Sequence, residues 1–465
     1  MKHKVDLTQG PVTTRLLRLA GPMVLGMFSL VAFNLTDTYF VGQLGVDPLA
    51  AMNFTFPVVM LVGGVAIGLG VGTASVLSRL FGAKDLRRVR QVTTDGLLLA
   101  VLVVLLLSTA GLFTIRPVFR LLGAKEQLLG LIEEYMVVWY VGMVFLVIPM
   151  VGNNAIRSSG QTVIPSLIMT LGATINIVMD PILIFGLGGM PAMGLRGAAV
   201  ATVIARACTM VASLLVLGLR MKMLTRPSIR GIFAAWAEIL YVGLPAAGVN
   251  ILGPVTMGII TRMVAVYGKE AVAAIGPGMR IEMLSGIPMF ALITTIVPFV
   301  GQNYGAGRVK RIAEGYRAAV RFIAAWGLLF AAVIVWFADD VAVLFSDDPE
   351  VVWYITLFLR TVLVASWGTP IAVLSSSLFN GLNRPIEGAA LHVFRMFVLF
   401  VPAAWVGSQL GGLTGLFIGL AVAHLLSAAG SVAWTSRQLH SLRSPPGAYD
   451  SIDLTPPEAM QGLGE

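Results

Sequence analysis

The stretch Asn176-Ile177-Val178-Met179-Asp180-Pro181 lies inside an apolar run from about Thr162 to Phe185. At about 1.5 Å per residue, that run is long enough to cross a bilayer as a helix. Asn176 and Asp180 stand four residues apart and so share one helical face. Pro181 has no N–H, which leaves the carbonyl of Ile177 without its helical partner. A carboxylate, an amide and a free carbonyl are thereby gathered within two turns, well inside the membrane. A carboxylate there costs roughly 3 kcal/mol or more and by default marks an ion or substrate path. The competing reading is a structural carboxylate paired with a neighbouring arginine.

The rest of the chain fits a membrane setting. Of its 465 residues, 57% are hydrophobic and only 12% charged, and the mean hydropathy is +0.88. A soluble chain of this length would carry about twice that charge. Apolar runs fall at roughly 16–41, 49–78, 93–115, 132–152, 162–186, 197–219, 237–267, 274–303, 316–338, 351–377, 386–407 and 413–436, which reads as twelve spanning helices. With the N-terminus inside, the inner segments hold 21 Lys and Arg and the outer loops five. That asymmetry places both termini in the cytosol and the protein in the cell membrane. The loop Asp339–Glu350 carries five acids and no base, as suits the outer face. The pI near 9.9 does not imply nucleic acid, because the basic residues sit in short loops between apolar runs. Cys208 is the sole cysteine, so neither a disulfide framework nor a thiolate metal site is expected. No cleaved signal is expected either, since the first apolar run is too long for one.

The two halves repeat. Tyr39–Met52 (YFVGQLGVDPLAAM) matches Arg262–Ile275 (RMVAVYGKEAVAAI), and RLFGAK matches QNYGAG further on. Gly45 pairs with Gly268 and Gly82 with Gly305, both at a spacing of 223; Gly160 pairs with Gly381 and Pro181 with Pro402 at 221, and Gly197 with Gly415 at 218. A repeat of six helices keeps both copies in one orientation, so the expected symmetry is a pseudo-two-fold along the membrane normal. The expected organisation is an N-terminal lobe over 1–225, a C-terminal lobe over 226–436 and a polar, disordered cytosolic tail over 437–465. Polarity is not repeated: Asp180, Asn176 and Asp37 pair with Val401, Phe397 and Ile260. Packing alone gives no reason for that asymmetry, whereas an ion site in one half does.

Topology brings Asp37, Tyr135, Asp180 and Thr202 to one depth, with Asn176 one turn deeper. Their carboxylate, amide and hydroxyl oxygens suit a proton or a hard cation such as Na⁺. Two carboxylates sharing a low-dielectric site cannot both hold charge cheaply, which favours a bound cation. Arg280 and Glu282, in mid-span, are candidates for a polar site in the second half, although i and i+2 do not face each other. Arg206, Arg262, Arg321, Arg360 and Arg395 lie in or near spans, and those near helix ends are expected to reach for the interface. His392 and His424 read as satisfied core histidines. Pro22 is expected to bend the first helix.

Asn34–Ala51 (NLTDTYFVGQLGVDPLAA), Gly68–Asp85 (GLGVGTASVLSRLFGAKD) and INIVMDPILIFGLG followed by GAAVAT resemble the multidrug and toxic compound extrusion (MATE) family, its DinF-like branch above all. The resemblance spans residues 10–436. It implies an all-α membrane protein whose two six-helix lobes form a V around a central cleft. It also implies export of cationic or amphipathic drugs and toxins in exchange for H⁺ or Na⁺, without a cofactor. Carried over by position, the branch's cation site falls on Asp37, Asn176, Asp180 and Thr202, with Tyr135 beside it. The bending proline falls on Pro22, and the first-lobe cavity lining on Asn153, Met27, Met60 and Met169. The second-lobe acidic site of the NorM-like branch has no clear match: Asn250 and Ser375–Ser377 occupy its helices.

The leading expectation is therefore a cation-coupled multidrug antiporter, monomeric among membrane lipids. One rival is a lipid-linked saccharide flippase of the same superfamily, whose cleft needs several central bases. Against it stands a first-half cleft expected to be acidic and nearly free of base. A carrier of the major facilitator type would not carry the intramembrane Asn-x-x-x-Asp-Pro. An enzyme is not expected, since no nucleophile–base pair, metal motif or phosphate loop is apparent.

Overall fold

The structure, a computed structural model, describes residues 6–227 and 229–442, apart from the side chains of 229 and 230. Among the described residues all regular structure is helical. The first lobe contains α1 (Val12–Gly42), α2 (Val46–Gly82), α3 (Leu86–Leu121), α4 (Glu126–Ser158), α5 (Val163–Phe185) and α6 (Gly194–Arg220). The second contains α7 (Gly231–Tyr267), α8 (Lys269–Gly305), α9 (Val309–Trp336) and α10 (Pro349–Gly381), followed by a helical run over Pro385–Ser441. At 57 residues that run is far longer than one crossing needs. Gly411 and Gly412 leave the helical conformation and divide it into α11 (385–410) and α12 (413–441), which completes twelve spans. Local chemistry sets several boundaries. Asp85 caps α3 by accepting from the Arg88 N–H at 3.0 Å, and Asp348 accepts from the Glu350 N–H at 2.9 Å just ahead of Pro349.

Many helices outlast their apolar runs. α4 runs on to Ser158, about a turn and a half past residue 152, and α12 continues to Ser441, past the expected start of the tail at 437. The remainder of that tail, 443–465, lies outside the described residues. Residues 221–227 form the non-helical connection between the lobes, where the boundary at 225 was expected.

Two spans of the second lobe are interrupted. α8 breaks at Thr294–Thr295 and α10 at Ser366–Trp367. The hydroxyls there turn back onto the chain: Thr294 donates to Ala291 O at 2.8 Å, Thr295 to Leu292 O at 2.7 Å, and Ser366 to Leu363 O at 3.0 Å. Such bonds satisfy carbonyls that a regular ladder would otherwise hold. The corresponding parts of α2 and α4 are uninterrupted.

The repeat is visible in the backbone. Gly45 and Gly268 share a positive φ, at 115° and 109°; Lys84 and Gly307 do so at 62° and 68°, and Gly160 and Asn383 at 85° and 63°. Each pair stands 223 residues apart. Gly160 therefore pairs with Asn383, and the expected pairing with Gly381 is off by two. The left-handed conformation after the helix end, which Asn adopts more readily than most residues with a Cβ, fixes the register better than residue identity does.

One core joins α2–α4 with parts of α5 and α6, and it takes in Ala235 and Ile239 from the start of α7. In return Leu16, Leu19 and Ala20 of α1 pack in a second-lobe core with Phe299, Ile312 and Phe379. The lobes also meet directly. A Cβ on Gly82 would lie 2.1 Å from the Gln302 carbonyl oxygen, and one on Gly305 would lie 2.1 Å from that of Arg79. Arg79 and Gln302 are themselves 223 apart, so the contact is reciprocal, as a two-fold relation requires. Beside it, Gln302 donates to Ser158 O at 2.7 Å and accepts from the Leu7 N–H at 3.2 Å. Asn303 donates to Leu7 O at 3.2 Å and Arg311 to Gly10 O at 2.9 Å. The segment before α1 is thus laced to the second lobe.

Candidate functional site

α1 and α5 run side by side, and small polar residues set their register. The Ser166 hydroxyl donates to the Pro22 carbonyl, and Ser29 and Thr170 share a hydrogen bond at 2.9 Å. Gly26 lets the two helices close, since a Cβ there would meet Ser166 at 3.2 Å. Continuing in that register, Asp37 on α1 comes level with Asp180 on α5. α6 is drawn onto α5 by Gly197, whose absent Cβ would lie 2.5 Å from Leu183 O, and this brings Thr202 up to Asn176.

Asn176 and Asp180 are fully buried and Asp37 nearly so. The Asn176 amide donates to the Asp180 carboxylate at 3.0 Å and to the Thr202 hydroxyl at 3.4 Å. Asp37 lies within electrostatic reach of Asp180, and the buried Tyr135 of α4 within reach of both. One oxygen each of Asp37, Asn176 and Asp180 has no protein hydrogen-bond partner. Among the described residues no ion pair involves either aspartate. The arrangement is thus a cluster of hard oxygen donors with spare acceptor capacity and no basic partner. It can hold a proton or a small hard cation.

Asp37, Tyr135 and Thr202 open onto a first-lobe cavity of about 420 Å³, whose wall includes Asn153, Met60 and Met169. Asn176 and Asp180 sit behind that wall, and Met27 is not part of it. α1 remains one continuous helix of 31 residues through Pro22.

The expectation of a cavity nearly free of base is wrong. Arg157 and Arg206 both line it. Arg157 lies past the fourth apolar run, which ends near residue 152, and the added length of α4 carries it on a helix. There it donates to the Asn154 side chain at 2.7 Å. Arg206 does not reach for the interface; its guanidinium stacks over the Phe33 ring, 5.1 Å from the centroid. A basic residue within a turn or two of a helix end looks the same in sequence whether it anchors the span or turns inward. Neither was legible from the residue pattern.

The second lobe holds its own cavity, about 480 Å³, onto which Arg280, Glu282, Arg395 and His424 face. Arg280 is exposed and Glu282 half-buried. Both line that cavity although they stand only two residues apart on α8.

Comparison with known proteins gives the family. The MatE family model matches twice, over residues 22–182 and 245–406, and the two matches begin 223 residues apart, at the spacing of the repeat. The chain belongs to the MatE family. It is 36% identical over 428 residues to a protein named FAD transporter from Shewanella oneidensis, a match covering 92% of this chain and 95% of that one. It is 26% identical over 417 residues to the multidrug export protein MepA of Staphylococcus saprophyticus, covering 88% and 90%. The crystal structure of the Vibrio cholerae MATE transporter VcmN in its bent form superposes with a TM-score of 0.88 at 28% identity, covering 93% of this chain and 98% of that one. This MatE protein is accordingly a multi-pass membrane transporter and not an enzyme.

Proposed function

We propose that this transporter exports amphipathic small molecules across the cell membrane in exchange for H⁺ or Na⁺, with both termini in the cytosol. The observation that carries the reading is the buried cluster of Asp37, Asn176, Asp180 and Thr202, with Tyr135 beside it and no basic partner. A buried carboxylate with free lone pairs is costly while charged and is relieved by a cation. Loading the site therefore changes which helix packing is favoured. The cation drives the cycle because it binds one state better than the other. Pro22 of α1 is the residue at which that helix yields, since the missing N–H removes one rung of its ladder.

Two observations favour a second reading of the cargo, in which it carries negative charge. Arg157 and Arg206 line the same cavity as Asp37, and the relative at 36% identity is named for FAD, a dinucleotide. The same arginines remove the argument that set the lipid-linked saccharide flippase aside. The experiment is transport in proteoliposomes with the pH gradient and the Na⁺ gradient imposed separately. A cationic dye, FAD and a lipid-linked saccharide are offered in turn. Coupled transport of the dye or of FAD, driven by one gradient, supports the reading. Gradient-independent transport of all three would overturn it.

A further inference from the structure

The second-lobe cavity carries charges with no counterpart in the first lobe. Glu282 stands at the position of Val59, and residues 172–174, which correspond to Arg395, are uncharged. Arg395 is only 7% exposed and lies in a seven-residue π-helical segment of α11, Phe394–Phe400. A π turn inserts a residue into the helical ladder and re-aims the side chains around it, and such turns cluster at functional positions.

The surroundings of Arg395 are unusual for a buried guanidinium. Its Nε has no hydrogen-bond partner, and among the described residues it forms no ion pair within 4.0 Å. Glu282 faces the same cavity and interacts with Arg395 electrostatically without touching it. The direct contact that Arg395 makes is with the Phe400 ring, 5.4 Å from the centroid. Phe400 in turn meets His424 edge-on at 4.7 Å, and His424 Nδ1 is fixed by Thr369 Oγ1 at 2.9 Å. An arginine held this way presents its donor fork to open space. A desolvated, unpaired charge is the costly arrangement, and a planar anion that fills the fork removes the cost.

The remaining wall is aromatic and sulfur-rich, with Phe358, Phe417 and five methionines. Those groups suit a flat ring system and adapt to its outline. The volume of about 480 Å³ falls within the range of small-molecule sites, about 300–1,000 Å³. The fixed charges facing the cavity, Arg280, Arg395 and Glu282, leave it net positive.

We infer that the second-lobe cavity is a binding site for a planar aromatic anion, whose phosphate or carboxylate pairs with Arg395 while its ring lies among Phe358, Phe400 and Phe417. Arg280, exposed at the rim, attracts the same group, and Glu282 opposes it. The site is separate from the ion cluster of the first lobe and does not depend on coupling at Asp37 and Asp180. A phospholipid headgroup offers the same phosphate chemistry, but its acyl chains would not need the rings.

The test is equilibrium dialysis of the purified full-length protein in detergent, with no gradient, against flavin mononucleotide and against riboflavin, which has the same ring without the phosphate. The mononucleotide should bind at least tenfold more tightly. Arg395→Gln should bring it to the riboflavin level, with Arg395→Lys retaining part of the difference. Arg280→Gln, at an exposed position that leaves folding intact, should weaken it about threefold. Glu282→Gln should strengthen it several-fold, and Asp37→Asn should leave it unchanged. The inference fails if Arg395→Gln and Arg280→Gln both bind as wild type, or if Glu282→Gln abolishes binding, which would mark an acid-dependent cation site. It also fails if only Arg206→Gln removes binding. Equal affinity for the two flavins, with displacement of both by phosphatidylglycerol in the micelle, would assign the cavity to lipid and overturn it as well.

Discussion

Gly82 and Gly305 each press against a backbone carbonyl of the opposite lobe, and each carbonyl belongs to the residue three before the other glycine. The contact is as close as two chains can come, because neither residue has a Cβ. It places the repeat axis at this seam.

Gly82→Ala and Gly305→Ala should therefore each destabilise the protein. The atom in the way is a main-chain oxygen, which cannot swing aside, and overpacking of this kind costs about 1–3 kcal/mol. The double substitution should cost less than the two singles together, because both relax the same seam. Gly63→Ala, with nothing within 4 Å of its Cβ, is the control and should melt as wild type. Thermal melts followed by tryptophan fluorescence in detergent read all four variants.

Asp37→Asn and Asp180→Asn mimic the neutral carboxyl and can release no proton. Each should abolish gradient-driven efflux while the protein inserts and purifies in normal amount. Val401→Asp, in the corresponding stretch of the second lobe, should rescue neither. Near-normal, gradient-dependent efflux by Asp180→Asn would end the coupling role assigned to it.

Asn176→Ala removes a donor 3.0 Å from a buried carboxylate. Hydrogen bonds to charged groups are worth about 1.5–3 kcal/mol, so efflux at limiting gradient should fall roughly tenfold or more. The contact of Asn176 with Thr202, at 3.4 Å, is near the end of hydrogen-bond range, and Thr202→Val should cost no more than about threefold. If the two substitutions were equally damaging, Thr202 would have to touch the cation itself.

The segment before α1 should loosen in acid. Burial opposes the charged form of Asp6, but hydrogen bonds from the Thr8 hydroxyl and N–H, with the charges of Arg308 and Lys84, outweigh it and hold the Asp6 carboxyl below its ordinary range. A depressed folded-state value means that the contribution is present above the unfolded value of about 3.9 and is lost as pH falls through the folded one. Protection of the Leu7 and Thr8 amides against exchange, measured relative to their intrinsic rates, should therefore fall below about pH 4. Asp6→Asn should show the lowered protection already at neutral pH, with no further loss in acid.

The spans and the first-lobe cluster were readable because each rests on a short-range rule. Apolar length gives a crossing, four residues give one helical face, and orientation gives the depth of Asp37 against Asp180. What escaped depends on long-range geometry. Arg157 and Arg206 turn inward only because α4 outlasts its apolar run and Phe33 stands where Arg206 can stack on it. The breaks in α8 and α10 are of another kind: Thr294 and Ser366 lie four residues before Pro298 and Pro370, whose missing N–H interrupts the ladder there, a short-range cause already present in the sequence. Gly160 was matched to another glycine when its structural partner is Asn383, because conformation rather than identity is what the repeat preserves.

The hydrogen bond between Leu7 and Gln302 also bears on how the molecule is made. Leu7 is synthesised ahead of the whole first lobe, and the side chain that receives its N–H follows 295 residues later. At about 5–20 residues per second, that is a wait of roughly 15–60 s, during which the first lobe can insert and pack. Until α8 is in place the leading segment has no seat, and the carbonyl of Ser158 lacks the donor that Gln302 brings. Seating that segment is therefore a late step of biogenesis. A nascent chain arrested before residue 302 should keep residues 6–10 open to a protease that cannot cut them in the finished protein.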